Sequence, residues 1–246
     1  MSKENNLHDY LTDLADSIRE VEGSTDPINP QDFSDRVKAI GTNSGAFGAT
    51  ATLAALIEGN AVELTSNATK VKDSAFKSNS EITSLNLPSA TSIGTSAFQG
   101  CTALTSVNLP SVHTIKKTAF CECTALKTAN IPNCGNINGY AFQLCSSLAS
   151  VNMPGAVFIA EYAFAGCKSL TKIIIGNGYQ VANVEPTTFN GCYHLTGTVD
   201  ETYNPDGLKD CYIYVPDAWV DDYRSATNWS TYADQIKGIS ELPTEE

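Results

Sequence analysis

The pair Ala-Phe recurs at 75–76, 97–98, 119–120, 141–142 and 163–164, a step of 22 residues each time, and Phe189 follows with three residues inserted. Self-similarity at a fixed period constrains a chain more than any local propensity, because a repeat this short has no interior of its own. Three residues after each Phe stands Cys101, Cys123, Cys145, Cys167 or Cys192, with Asn79 in the first copy. Six residues after it stands Leu104, Leu126, Leu148, Leu170 or Leu195, with Ile82 first. Apolar residues two apart come next: Leu85/Leu87, Val107/Leu109, Ala129/Ile131, Val151/Met153 and Ile173/Ile175. That alternation is the mark of a strand, and Pro88, Pro110, Pro132 and Pro154 end the first four. Ile93, Ile115, Ile137, Ile159 and Val181 mark a second inward position.

Each coil therefore reads as one short strand, a turn closed by proline, and a second apolar side. Such coils bury their apolar positions only against their neighbours, so they stack into a solenoid whose strands pair in parallel about 4.8 Å apart. The segment LIEGNAVELTSNATKVKDSAF reads as a degenerate first coil with Val62 and Leu64 in its strand. After Cys192 the pattern loosens, and CYIYVPDAWVDDYRSATNWSTYADQI supplies a last strand, Tyr212 to Val215. A helix is expected after Pro216, with Trp219, Tyr223 and Trp229 covering the open apolar end.

The pattern AFxxCxxLxxVxLPxxxxxI resembles the BspA-type, or treponemal, leucine-rich repeat of bacterial and protist surface proteins and of many phage and prophage proteins. The likeness covers about residues 61 to 198. It implies a leucine-rich-repeat solenoid in the α+β/repeat class, with one short strand per coil in a parallel sheet. A small N-terminal helical segment precedes it and a C-terminal helical cap closes it. The ending also resembles the usual terminus of BspA-type phage proteins. The expected organisation is a helical docking segment at 1–40, a flexible linker at 41–52, repeats at 53–198, and a strand with a helical cap at 199–246.

The docking segment rests on spacing. Leu7, Tyr10, Leu11, Leu14, Ala15, Ile18 and Val21 fall three and four apart, the stripe of an amphipathic helix. Gly23 stops it, and Pro30 fits the first turn of a second short helix through Phe33, Val37 and Ile40. Two such helices cannot bury their apolar faces alone, so a second copy or another protein is expected against Leu7, Tyr10, Leu11, Leu14 and Ile18. Residues 41 to 51, GTNSGAFGATA, are small and Gly-rich, as a linker requires. The stretch from Leu7 to Ile40 also resembles a leader found at the start of many gut phage and prophage structural proteins.

Charge narrows the partners. With 27 acidic and 15 basic side chains the formal charge is −12, opposite in sign to what a phosphate backbone attracts, so no nucleic acid is expected. Residues 1–40 carry nine acids against four bases and residues 199–246 eleven against three, flanking a near-neutral middle. No run approaches the ~18 apolar residues of a membrane span, so no membrane insertion is expected. The start lacks the basic segment and apolar stretch of a secretory signal, which points to synthesis in a bacterial cytoplasm. The sequons Asn67-Ala68-Thr69 and Asn228-Trp229-Ser230 mean nothing without a secretory route.

Eight cysteines suggest a disulfide scaffold only in short secreted chains. Five of them at one repeat position would stand in a line, which cannot surround a tetrahedral zinc ion, so buried reduced thiols are expected. Cys121, Cys123 and Cys134 lie close in sequence, but strand alternation sends neighbours to different faces. His8, His113 and His194 stand apart, and no metalloprotease, nucleophile-elbow or phosphate-loop motif is present. The GNG at 176–178 reads as a turn. No catalytic residue, metal ligand or cofactor is expected.

One surface stands out. Asn86, Asn108, Asn130 and Asn152 fall between the inward strand positions and so face outward, beside Ser84, Ser106, Thr128 and Ser150. In the next coil Lys172 and Ile174 take those places. This face reads either as a solvated sheet or as a binding surface for protein or glycan, the use solenoids commonly make of extended sheets.

With the two resemblances, the leading expectation is a non-enzymatic bacteriophage virion structural protein in a tail, baseplate or head decoration. Its N-terminal helices would dock to other virion proteins or to themselves, and its repeats would meet a host-surface protein or glycan. The alternative is a bacterial BspA-like cell-surface adhesin. An intracellular enzyme is a third possibility that no motif favours.

Overall fold

The computed structural model describes residues 62–65 and 69–244. The expected docking helix, with Leu7, Tyr10, Leu11, Leu14 and Ile18, and the expected linker at 41–52 lie outside the described residues.

The strands, numbered β1 to β14 along the chain, alternate between two parallel sheets. The broad sheet holds β1 (Val62–Thr65), β3 (Ile82–Asn86), β5 (Ser106–Asn108), β7 (Thr128–Asn130), β9 (Ser150–Met153) and β11 (Lys172–Ile175), then β13 (Tyr212–Val215) and β14 (Ile236–Gly238), in that spatial order. The narrow sheet holds two-residue strands: β2 (Lys70–Val71), β4 (Ser92–Ile93), β6 (Thr114–Ile115), β8 (Asn136–Ile137), β10 (Phe158–Ile159) and β12 (Asn183–Val184). Each coil thus has two strands where spacing alone gave one. The second apolar side is itself hydrogen-bonded to its neighbours, with Ile93 beside Ile115, Ile115 beside Ile137 and Ile137 beside Ile159.

One repeat position moves. Val181 is half-buried, and the residue aligned with Ile159 is Val184, fully inside the core. The three extra residues of this coil therefore sit between Ile175 and Asn183, at the turn Gly176-Asn177-Gly178. That turn needs its glycines: Gly176 has φ +100°, and a Cβ there would meet Pro216 Cδ at 2.8 Å.

The core is a set of columns. Phe98, Phe120, Phe142, Phe164 and Phe189 are buried, and from Phe76 to Phe164 successive rings stack 5.1–5.3 Å apart. Backbones in the same place are tied coil to coil, Phe98 N to Ala119 O at 2.8 Å and Phe120 N to Ala141 O at 2.7 Å. A further column runs through Ala90, Val112, Cys134 and Ala156, two residues after each proline. Cys134 occupies a site that elsewhere takes alanine or valine, which identifies it as a small apolar filler.

The chain pays a conformational cost for turning this tightly. Ser74, Ser96, Thr118, Tyr140 and Tyr162, two residues before the Phe of each copy from Phe76 to Phe164, all have φ between +54° and +63°. Two residues after each Phe the same left-handed region recurs at Ser78, Gly100, Glu122, Leu144, Gly166 and Gly191, where glycine relieves the strain in three copies.

At the C-terminal end the expected helix is present: a 3₁₀ turn at Asp217–Trp219 leads into α2 (Val220–Ser225), while α1 (Tyr193–Thr196) precedes the last coil. Trp229 is fully buried against Phe189 and Tyr223 is fully buried against Trp229, whereas Trp219 stays partly exposed and takes no share in the sealed core. The last narrow-sheet strand has no further coil to bond. Its groups are met by cap side chains instead: Trp229 Nε1 donates to Ala182 O at 2.6 Å, Ala182 N donates to Tyr223 Oη at 3.1 Å, and Asn228 Nδ2 donates to Val184 O at 2.7 Å. A solenoid end needs such satisfaction of its backbone.

Candidate binding face

The outward side chains of the broad sheet form two columns, because parallel in-register strands place equivalent residues side by side. The first is Ser84, Ser106, Thr128, Ser150, Lys172 and Tyr212. The second is Asn86, Asn108, Asn130, Asn152, Ile174 and Tyr214. All ten sequence-selected candidates thus lie on one face, in two adjacent lines.

The asparagines are hydrogen-bonded to one another. Asn108 Nδ2 donates to Asn86 Oδ1 at 3.0 Å, Asn130 to Asn108 at 2.7 Å, and Asn152 to Asn130 at 2.7 Å. Each amide has two donor hydrogens and two acceptor lone pairs. The interior rungs therefore keep one of each for a ligand while their rotamers are already fixed. Asn152 Oδ1, at the end of the ladder, has no partner among the described residues, and Ile174 beside it offers none.

Beyond Ile174 the face changes character. Lys237 Nζ lies 3.8 Å from the ring centroid of Tyr212, and Tyr214 is 4% exposed although it points to the outer side. The 3₁₀ turn Ile239–Glu241 packs on β13, pinned by Ser240 Oγ donating to Asp217 Oδ1 at 2.8 Å. Tyr214, Thr171, Lys172, Asp210 and Leu242–Thr244 line a cleft of about 300 Å³ there. Burial raises the Tyr214 hydroxyl above its usual range, with Tyr212 and Glu241 adding to the effect, so it stays a donor.

The cysteine column is apolar filling with one polar duty. Cys101, Cys123, Cys145, Cys167 and Cys192 are fully buried and free. Each thiol donates to the Phe carbonyl of the preceding coil at 3.1–3.2 Å, Cys145 for example to Phe120 O. Burial pushes Cys134 and Cys192 to about 12 and Cys121 to about 11. These are not nucleophiles. Among the described residues no three His, Cys, Asp or Glu side chains converge as a metal site. His113 is exposed, while His194 Nδ1 meets Asp210 Oδ1 at 2.6 Å, a pairing that sequence distance did not suggest.

Sequence reasoning missed the direction of the amide ladder, the acceptor of each thiol, and the Tyr214 cleft. Only the first left a signal, four asparagines at one period.

Known proteins give the family. The BspA type leucine-rich repeat region matches residues 59–196 in six copies. A leucine-rich repeat protein of T. pallidum is similar at 27% identity over 60% of this chain and 79% of its own, with a TM-score of 0.40. A leucine-rich cell surface protein of Faecalibacterium prausnitzii is 24% identical over 60% of this chain and 42% of its own, TM-score 0.40. A leucine-rich repeat protein of Bacteroides ovatus is 24% identical over 61% and 43%, TM-score 0.37. No curated protein matches. With more than half of its residues in that six-copy match, the chain belongs to the family of BspA-type leucine-rich repeat proteins.

Proposed function

We propose that the chain is a non-enzymatic adhesive protein of the BspA-like cell-surface kind, and that the outward face of the broad sheet binds protein. The observation that carries this is the asparagine ladder. Four amides are held in place by each other and still have hydrogen-bonding capacity to spare, so a partner meets a surface whose side-chain ordering cost is already met. Family membership supports it, since leucine-rich repeat domains generally mediate protein binding. The buried, protonated thiols support a non-enzymatic role, because they offer no nucleophile.

The test uses the labelled full chain on cultured epithelial cells, with and without prior trypsin treatment. Binding should be trypsin-sensitive and should fall at least tenfold in Asn108→Ala/Asn130→Ala, a change of about 1.4 kcal/mol. Equal binding by the variant sinks the assignment of this face. Labelling of intact producing cells with antibody to the repeats tests the surface location.

A second reading, a phage virion component docked through residues 1–40, has one observation in its favour, the leader resemblance at Leu7 to Ile40. The family match begins at residue 59 and does not reach that stretch. Finding the chain in purified particles would select this reading.

A further inference from the structure

We propose that the cleft at Tyr214 is the anchoring end of the ligand track, and that it takes an extended peptide segment of a partner protein across Ile174. This rests on the protein-binding reading of the broad sheet and adds where and how the partner is held. The first observation is an orphan. Tyr214 is only 4% exposed, lines the cleft, and its hydroxyl has no hydrogen-bond partner among the described residues. Buried polar groups are rarely left so, and one on a residue that lines an open cleft is free to bond a ligand atom there.

The second observation is a matched gap in the ladder. Asn152, Ile174 and Tyr214 sit in register on β9, β11 and β13. Asn152 ends the ladder with an open carbonyl acceptor, Ile174 is an apolar floor, and Tyr214 begins the cleft with an open donor. Two strand steps span about 9.6 Å, and three residues of extended chain reach about 10 Å. A peptide laid along the solenoid axis can therefore donate a backbone N–H to Asn152 Oδ1 and accept from Tyr214 Oη. Its central side chain then rests on Ile174, and Leu242 and Pro243 supply an apolar wall for the next.

A glycan suits the site less well. Sugars pack on open aromatic faces, but the Tyr214 ring is buried and Lys237 occupies the face of Tyr212 at 3.8 Å.

The experiment is selection of a yeast-displayed random dodecapeptide library on the full chain, followed by titration of the enriched synthetic peptides on the full chain and its variants. Enriched peptides should share an aliphatic residue and bind about fivefold to tenfold more weakly to Tyr214→Phe and to Ile174→Asn. Tyr214→Phe should unfold no earlier in urea than the parent, because it removes a hydroxyl with no partner. A clear loss of stability would show that the hydroxyl is structural and overturn the proposal. If peptides lose affinity on Asn108→Ala/Asn130→Ala but not on Tyr214→Phe, the cleft is wrong and the sheet face stands. If neither variant matters, or no peptide is enriched, both readings fall. If a glycan array instead shows Tyr214-dependent binding, the peptide assignment is overturned.

Discussion

The interior coils and the C-terminal end solve one problem in opposite ways. Between Phe98 and Leu170 the strand backbone is bonded from coil to coil at repeated positions, as Leu109 N finds Asn130 O and Ile131 N finds Asn152 O. At the end there is no counterpart, so three unrelated side chains, Trp229, Tyr223 and Asn228, meet the open groups of Ala182 and Val184. The interior is redundant and the cap is unique. In a quasi-one-dimensional fold, stability is a sum of units and interfaces, so the cap residues have no understudies.

The sharpest test of that contrast is Trp229→Ala. It removes a fully buried indole from Phe189 and Tyr223 and leaves the Ala182 carbonyl unpaired. The expected loss is about 5 kcal/mol, combining a large-to-small core term with an orphaned acceptor. Urea unfolding measures it, and hydrogen exchange should show the loosening to be greatest from β12 to β14. A uniform loosening would mean that the end does not act as a separate unit.

Interior positions should be weaker and interchangeable. Leu126→Ala and Leu148→Ala, at the same place in adjacent coils, should each cost about 3 kcal/mol. A difference of more than about 1 kcal/mol between them would break the idea of equivalent coils.

The thiol column sharpens the comparison by pH. Burial raises Cys192 from 9.0 to about 12. A thiol that ionises more readily unfolded than folded favours the unfolded chain at alkaline pH. Its contribution is thus whole below pH 9 and is lost as pH rises towards 12. The five column thiols share that direction. Urea midpoints should therefore drop above pH 9, and Cys145→Ala should flatten the drop while costing about 1 kcal/mol at neutral pH.

What could be read in advance follows from period and range. The Phe, Cys and Leu columns were legible because each recurs at one spacing, and the outward asparagines because alternation assigns faces. The narrow sheet was not, since two residues per strand give no alternation to see. Spacing points to Val181 rather than Val184 because Phe189 shows that three residues are inserted without showing where. Tyr214 was out of reach for a different reason: its burial depends on Ile239–Thr244 returning to β13, a contact that no local pattern encodes. Cys145 was legible as a core thiol, but its bond to Phe120 O belongs to the stacked coils rather than to either copy.

The smallest expected effect is the most telling for function. Asn130 joins two rungs, donating to Asn108 and accepting from Asn152, on a half-exposed surface where water competes for the same groups. Asn130→Ala should therefore cost only about 0.5 kcal/mol in urea unfolding. If the ladder were a structural brace, its loss would rival that of Leu126→Ala. If it is kept for a partner, the variant should stay folded while Asn152, whose one ladder bond is to Asn130, loses its fixed rotamer and Asn108 keeps only its bond to Asn86. A near-neutral stability change together with weakened binding would separate the outward amides, which serve recognition, from the inward columns, which hold the coils together.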